Sequence, residues 1–104
     1  MSSYELRIYD AVPGRMADLC SRFREHTLEL FTEHGIESLG YWVDAQDANR
    51  LVYLLRHSDA EASWASFKDD ERWLAVKAAS EQSGPLTTGI TSMFLTPTAF
   101  SSMQ

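Results

Sequence analysis

A chain of 104 residues, 44% apolar and 12% aromatic, has enough material for one domain with its own core and too little for two, so residues 1–104 read as a single unit. Nine Lys and Arg against fifteen Asp and Glu give a net charge of −6 with no basic run, which excludes the counterion-releasing surface that a nucleic acid partner requires. One cysteine, no basic-then-apolar leader before Tyr4 and no stretch of about 20 apolar residues predict a cytoplasmic protein with no internal disulfide and no membrane partner.

The segment Tyr4-Glu5-Leu6-Arg7-Ile8-Tyr9 alternates with period two and predicts a first strand from about Ser3 to Asp10, closed by Val12-Pro13-Gly14. From Arg15 onward Met16, Leu19, Cys20, Phe23, Thr27, Leu30 and Phe31 recur at three- and four-residue steps, the stripe of a helix about 20 residues long that lies on a core. Gly35 stops it at the C′ position. Ile36 to Val43 and Arg50 to His57 read as two strands joined by a polar turn over Asp44–Asn49, hence an antiparallel hairpin. Ser58-Asp59-Ala60-Glu61 has the capping-box spacing that starts a helix, with Ala60, Trp64 and Phe67 as its inner stripe. Asp69-Asp70 marks a joint before a further helical piece over Glu71–Ser80, ended by Ser83-Gly84-Pro85. A fourth strand over about Thr87–Leu95 precedes Pro97 and a loose tail.

The order is β-α-β-β-α-β, so the fold class is α+β and ferredoxin-like: a four-stranded antiparallel sheet with its helices on one face. The other face should then be polar in a monomer. Strand one is one-sided, with Tyr4, Leu6 and Ile8 opposing Glu5, Arg7 and Tyr9. Strand two separates Ile36 and Trp42 from Leu39, Tyr41 and Val43, and strand three separates Leu51, Tyr53 and Leu55 from Val52 and Leu54. Large apolar groups therefore fall on both faces of the sheet, more than a monomer leaves in water. The simplest cover is the same face of a second copy, which predicts a homodimer or a higher homo-oligomer.

In order and spacing, Tyr4-Glu5-Leu6-Arg7 with Tyr9, Pro13-Gly14, His26-Thr27-Leu28 through Phe31 to His34-Gly35-Ile36, Gly40-Tyr41-Trp42, Val52-Tyr53-Leu54-Leu55, Trp64 with Phe67, and Trp73 resemble the NIPSNAP family. The resemblance spans nearly the whole chain. It implies a dimeric α+β barrel with a pocket between sheet and helices in each subunit, and it implies no single reaction. Relatives in the wider barrel superfamily include cofactor-free monooxygenases, lactone isomerases and haem-binding enzymes, an analogy of fold only. Larger mitochondrial members carry a targeting segment and a second copy of the domain, neither of which is read in this sequence.

Among side chains that move protons near neutrality, His26 and His34 are the catalytic candidates. Eight residues on one helix separate them by about 12 Å, too far to share a metal ion, and no metal site is expected. The plainer expectation is that His34 packs at the end of its helix, that His26 sits half-buried on its flank, and that His57 lies at the surface. Arg7, Tyr9 and Arg56 are placed on inner strand positions, where an arginine would hold a carboxylate or enolate. Their alternative is ion pairing with Glu5, Glu37 or an acid of a second copy. Trp42, Trp64, Phe67 and Trp73 are candidates for the wall of a flat-ligand pocket, against the alternative of plain core. Cys20, inside the apolar stripe, reads as a packing residue.

Two functional readings follow. In the first, a pocket between helices and sheet binds or transforms a small apolar or aromatic molecule, with His26 or His34 moving a proton and Arg7, Tyr9, Trp42, Trp64 and Phe67 holding the substrate. No cofactor is expected, and haem on His26 or His34 is a variant of this reading. In the second, the chain is a non-catalytic dimeric module for assembly or interaction.

Overall fold

The computed structural model describes residues 3–104. Strands β1 (Ser3–Ala11), β2 (Ile36–Asp44), β3 (Asp47–His57) and β4 (Thr87–Leu95) form one antiparallel sheet in the order β2-β3-β1-β4. Helices α1 (Met16–Arg22), α2 (Leu28–Glu33), α3 (Ala60–Asp69) and α4 (Glu71–Ser80) pack on one side of it. The ferredoxin-like α+β expectation is met, and α4 and β4 occupy the ranges that the sequence predicts.

The first helical stretch runs unbroken from Met16 to Glu33, but Phe23–Thr27 forms a π-helical turn between α1 and α2. There the Thr27 hydroxyl donates to the Arg22 carbonyl five residues back, at 3.2 Å. Leu19, Phe23, Thr27, Leu30 and Phe31 are buried, so the apolar stripe passes through the turn. Gly35 ends the stretch at φ 76°, a conformation that glycine adopts without strain.

Four local details differ from the sequence reading. The hairpin turn is only Ala45-Gln46, because the Asp44 and Asp47 carboxylates accept from the Gln46 and Asn49 amides, and β3 begins at Asp47. The N-cap of α3 is Asp59, whose carboxylate accepts from the Ala62 amide at 3.1 Å, one residue beyond the expected Ser58 cap. Register shifts between Ser38 and Gly40, so a bulge at Leu39 turns Ile36 and Tyr41 toward the helices and Trp42 away from them. Ile36 and Trp42, expected on one face, therefore lie on opposite faces. The tail is docked rather than loose, since the Tyr4 hydroxyl donates to the Gln104 carbonyl at 2.7 Å.

The helix-covered face of β1 carries Glu5, Arg7, Tyr9 and Ala11, opposite Leu55, Tyr53 and Leu51 of β3. Its open face carries Leu6 and Ile8, opposite Leu54 and Val52, with Trp42, Met93 and Leu95 beside them. On β1, then, the polar set is covered and the apolar set is uncovered. Trp42 is 57% exposed and Met93 51%.

Candidate site between sheet and helices

Period two along β1 brings Glu5, Arg7 and Tyr9 under the helices together. A buried carboxylate and guanidinium persist only when each is paired and hydrogen-bonded. Glu5, 1% exposed, receives four donors. His57 Nε2 and Trp64 Nε1 each reach its Oε1 at 2.8 Å, while Arg7 Nη1 at 2.9 Å and the Ser92 hydroxyl reach its Oε2. Burial pushes the Glu5 pKa up, but the hydrogen bonds from His57, Ser92, Arg7 and Trp64 outweigh it and hold the carboxyl at about 2. An ionised carboxylate only accepts, so His57 Nε2 carries a proton and donates it to Glu5. His57 Nδ1 is buried with no hydrogen-bond partner among the described residues.

Arg7 donates through Nε to the Tyr53 hydroxyl at 2.7 Å, through Nη1 to Glu5 and through Nη2 to the Tyr9 hydroxyl at 3.2 Å. These are three of its five N–H groups, leaving two. Its guanidinium lies 4.6 Å from the centre of the Trp64 ring, a cation–π contact that fixes the plane of the fork. Burial alone would lower the Arg7 pKa, yet Tyr53, Tyr9 and Glu5 raise it, so the guanidinium stays charged. Burial raises the Tyr53 phenol far above its ordinary range and keeps it a neutral acceptor for Arg7.

Arg7 and Tyr9 line a cavity of about 350 Å³ between sheet and helices, walled by Trp64, Phe67 and Trp73. Four of the candidates, Arg7, Tyr9, Trp64 and Phe67, thus meet in one place, together with Trp73. Trp42 does not join them, because the Leu39 bulge sends it to the open face. His26 lies in a separate groove of about 530 Å³ on the outer side of α1 and α4, among both acids and bases. His34 is held by the Ser66 hydroxyl at Nδ1, 2.8 Å, and by Asp70 at Nε2, 2.7 Å. Both of its ring nitrogens are thus engaged within the chain. Neither histidine lines the cavity.

His57 corrects the sequence reading outright: it is fully buried and bonded to Glu5, because the two-residue step through Leu51, Tyr53 and Leu55 continues to it. Arg56, one step out of phase, leaves the inner position assigned to it and pairs with Glu37 at 2.6 Å. Glu5, His57 and Ser92 complete the polar cluster. The period-two signal that selects Arg7 and Tyr9 also selects Glu5, whereas nothing local marks Ser92, which arrives through the β1–β4 register opposite Arg7. Among the described residues no group of three metal-ligating side chains converges, and no helix is long and apolar enough to cross a membrane.

A ferredoxin-like sheet with a charged, hydrogen-bonded floor beneath an aromatic cavity defines the class. The NIPSNAP family model matches residues 4–102, and the chain belongs to that family. It is similar in structure to a NIPSNAP family protein from Agrobacterium tumefaciens C58, with a TM-score of 0.85, 19% identity and full coverage of both chains. An uncharacterised NIPSNAP-like domain protein from Burkholderia xenovorans has a TM-score of 0.81 at 22% identity, over 96% of this chain and 88% of its own. A monooxygenase from Streptomyces coelicolor in complex with the ligand nanaomycin D has a TM-score of 0.67 at 20% identity, over 94% and 88%. No curated protein matches the chain.

Proposed function

We propose that the protein binds a flat, largely apolar small molecule in the cavity between sheet and helices, with an oxygen of that molecule set against Arg7 and Tyr9. The observation that carries this reading is the Arg7 fork. It is oriented by Glu5, Tyr53, Tyr9 and the Trp64 face and still has two N–H groups to give, at the floor of a cavity whose walls are tryptophan and phenylalanine. Aromatic walls give a flat ring contact area, and few fixed polar groups set its orientation. The Streptomyces coelicolor neighbour, solved with nanaomycin D, supports a ligand site on this fold. Proton transfer at this place would fall to the Tyr9 hydroxyl, which accepts from Arg7 and keeps its own proton to donate.

We propose further that a second copy covers the open sheet face, where Trp42, Met93 and Leu95 are exposed beside a half-buried Val52. This supports an assembly role beside the ligand role rather than in place of it.

Calorimetric titration with 2-naphthamide, a neutral flat amide, tests the first proposal. Saturable binding is expected, weakened about fivefold in Tyr9→Phe through loss of one hydrogen bond. Absence of saturable binding in the unmodified protein would sink the reading.

A further inference from the structure

The charged side chains around the cavity bear on what kind of molecule enters it. The sequence holds nine lysines and arginines and fifteen acids. The cavity is nevertheless lined by Arg7, Arg22, Lys68 and Lys77 and by no aspartate or glutamate. Lys68 and Lys77 are the only lysines in the chain, and they come from two different helices on either side of the Asp70 joint.

The carboxylates behind these cations do not balance them. Glu5 pairs with Arg7, and Glu81 is shared by Arg22 at 3.2 Å and Lys77 at 3.5 Å. Four cations against two carboxylates leave an excess of two positive charges (4 − 2), local to this cavity, in a protein of net charge −6. Among the described residues no carboxylate lies within ion-pair distance of Lys68. Arg22 is nearly buried, its Nε has no acceptor among the described residues, and its guanidinium lies 5.1 Å from the centre of the Trp73 ring. Each of the two arginines therefore sets a positive charge against a tryptophan of the cavity wall.

Resting on the small-molecule reading above, we propose that the occupant is an aromatic carboxylate of one or two fused rings. Its ring would lie between Trp64, Phe67 and Trp73, and its carboxylate would take the two remaining N–H groups of Arg7 and the Tyr9 hydroxyl. A volume of about 350 Å³ fits a molecule of this size. Charge-assisted bonds to a preoriented guanidinium are about twice as strong as neutral ones. The two exposed lysines raise the local concentration of an anion at the mouth in spite of the acidic exterior.

The test pairs 2-naphthoate with 2-naphthamide, which match in shape and differ in charge, by calorimetry on the unmodified protein and on Lys68→Gln/Lys77→Gln. Both positions are exposed and helical, and glutamine keeps the helix propensity. Naphthoate is expected to bind about tenfold tighter in low salt, a gap of about 1.4 kcal/mol. Half-molar salt should narrow that gap, and the double variant should cut it to about threefold, the part held by Arg7, while its affinity for the amide stays unchanged. Equal binding of acid and amide would overturn the anion assignment and leave the cavity reading standing. Failure of both probes would overturn the two together. A tenfold preference that survives both half-molar salt and loss of the two lysines would overturn the part assigned to the cationic mouth.

Discussion

Glu5 has the most exacting surroundings in the molecule, a carboxylate with four donors and almost no water. Its pKa of about 2 lies below the ordinary 4.5, so the stability that it contributes is complete above about pH 4.5 and is lost as the pH falls toward 2. Allowing for screening, that contribution is on the order of 2–3 kcal/mol. Urea unfolding followed from pH 7 to pH 2 should therefore show a steep loss in this window. Glu5→Gln should start about 3 kcal/mol lower at pH 7, because Arg7 is left without its counter-charge, and should have a flatter profile. An unchanged slope in the variant would mean that other acids set the acid limb. Much of this cluster was legible in the strand pattern, since one parity rule selects Glu5, Arg7 and Tyr9. His57 obeys the same parity on β3, and its place beside Ser58 hid it.

Helix and strand boundaries were legible wherever composition changes sharply, as at Gly35, at Asp70 and on both sides of β4. Single-residue shifts were not, because they depend on which of two neighbouring groups closes a hydrogen bond. The cap of α3 is the clearest case: Ser58 and Asp59 both suit the role, and the backbone gives it to Asp59. Asp59→Ala should thus cost about 1 kcal/mol in chemical denaturation, whereas Ser58→Ala should change stability by only a few tenths. Equal losses would return the cap to Ser58. The bulge in β2 left a trace in Gly40, since glycine inside a strand often marks one. A Cβ at that position would overlap the Trp42 ring, so the absence of a side chain lets the indole lie across the strand. The π-helical turn at Phe23–Thr27 left no trace, because the apolar stripe reads the same through it.

Taken whole, the molecule is a sheet with a buried polar cluster on the side of its helices and bare apolar surface on the other. The sequence predicted apolar groups on both sides of β3, and that is what the structure has. The docked tail shelters Tyr4 at one end and leaves Trp42 and Met93 open. If a second copy packs on this face as proposed, Val52→Asp should convert the dimer to monomer or aggregate in size-exclusion chromatography with light scattering. Elution as an unaltered dimer would assign the interface to another surface.

The three tryptophans divide cleanly between the two sides of the sheet, with Trp64 and Trp73 on the cavity and Trp42 on the open face. The protein therefore carries its own optical readout of both proposals. In Trp42→Phe the remaining emission comes from the cavity walls alone, so a ring that enters should quench it whatever the assembly state. In the unmodified protein, covering Trp42 should shift the emission to the blue as concentration rises, with no ligand present. Occupancy and association can thus be followed separately in unlabelled protein.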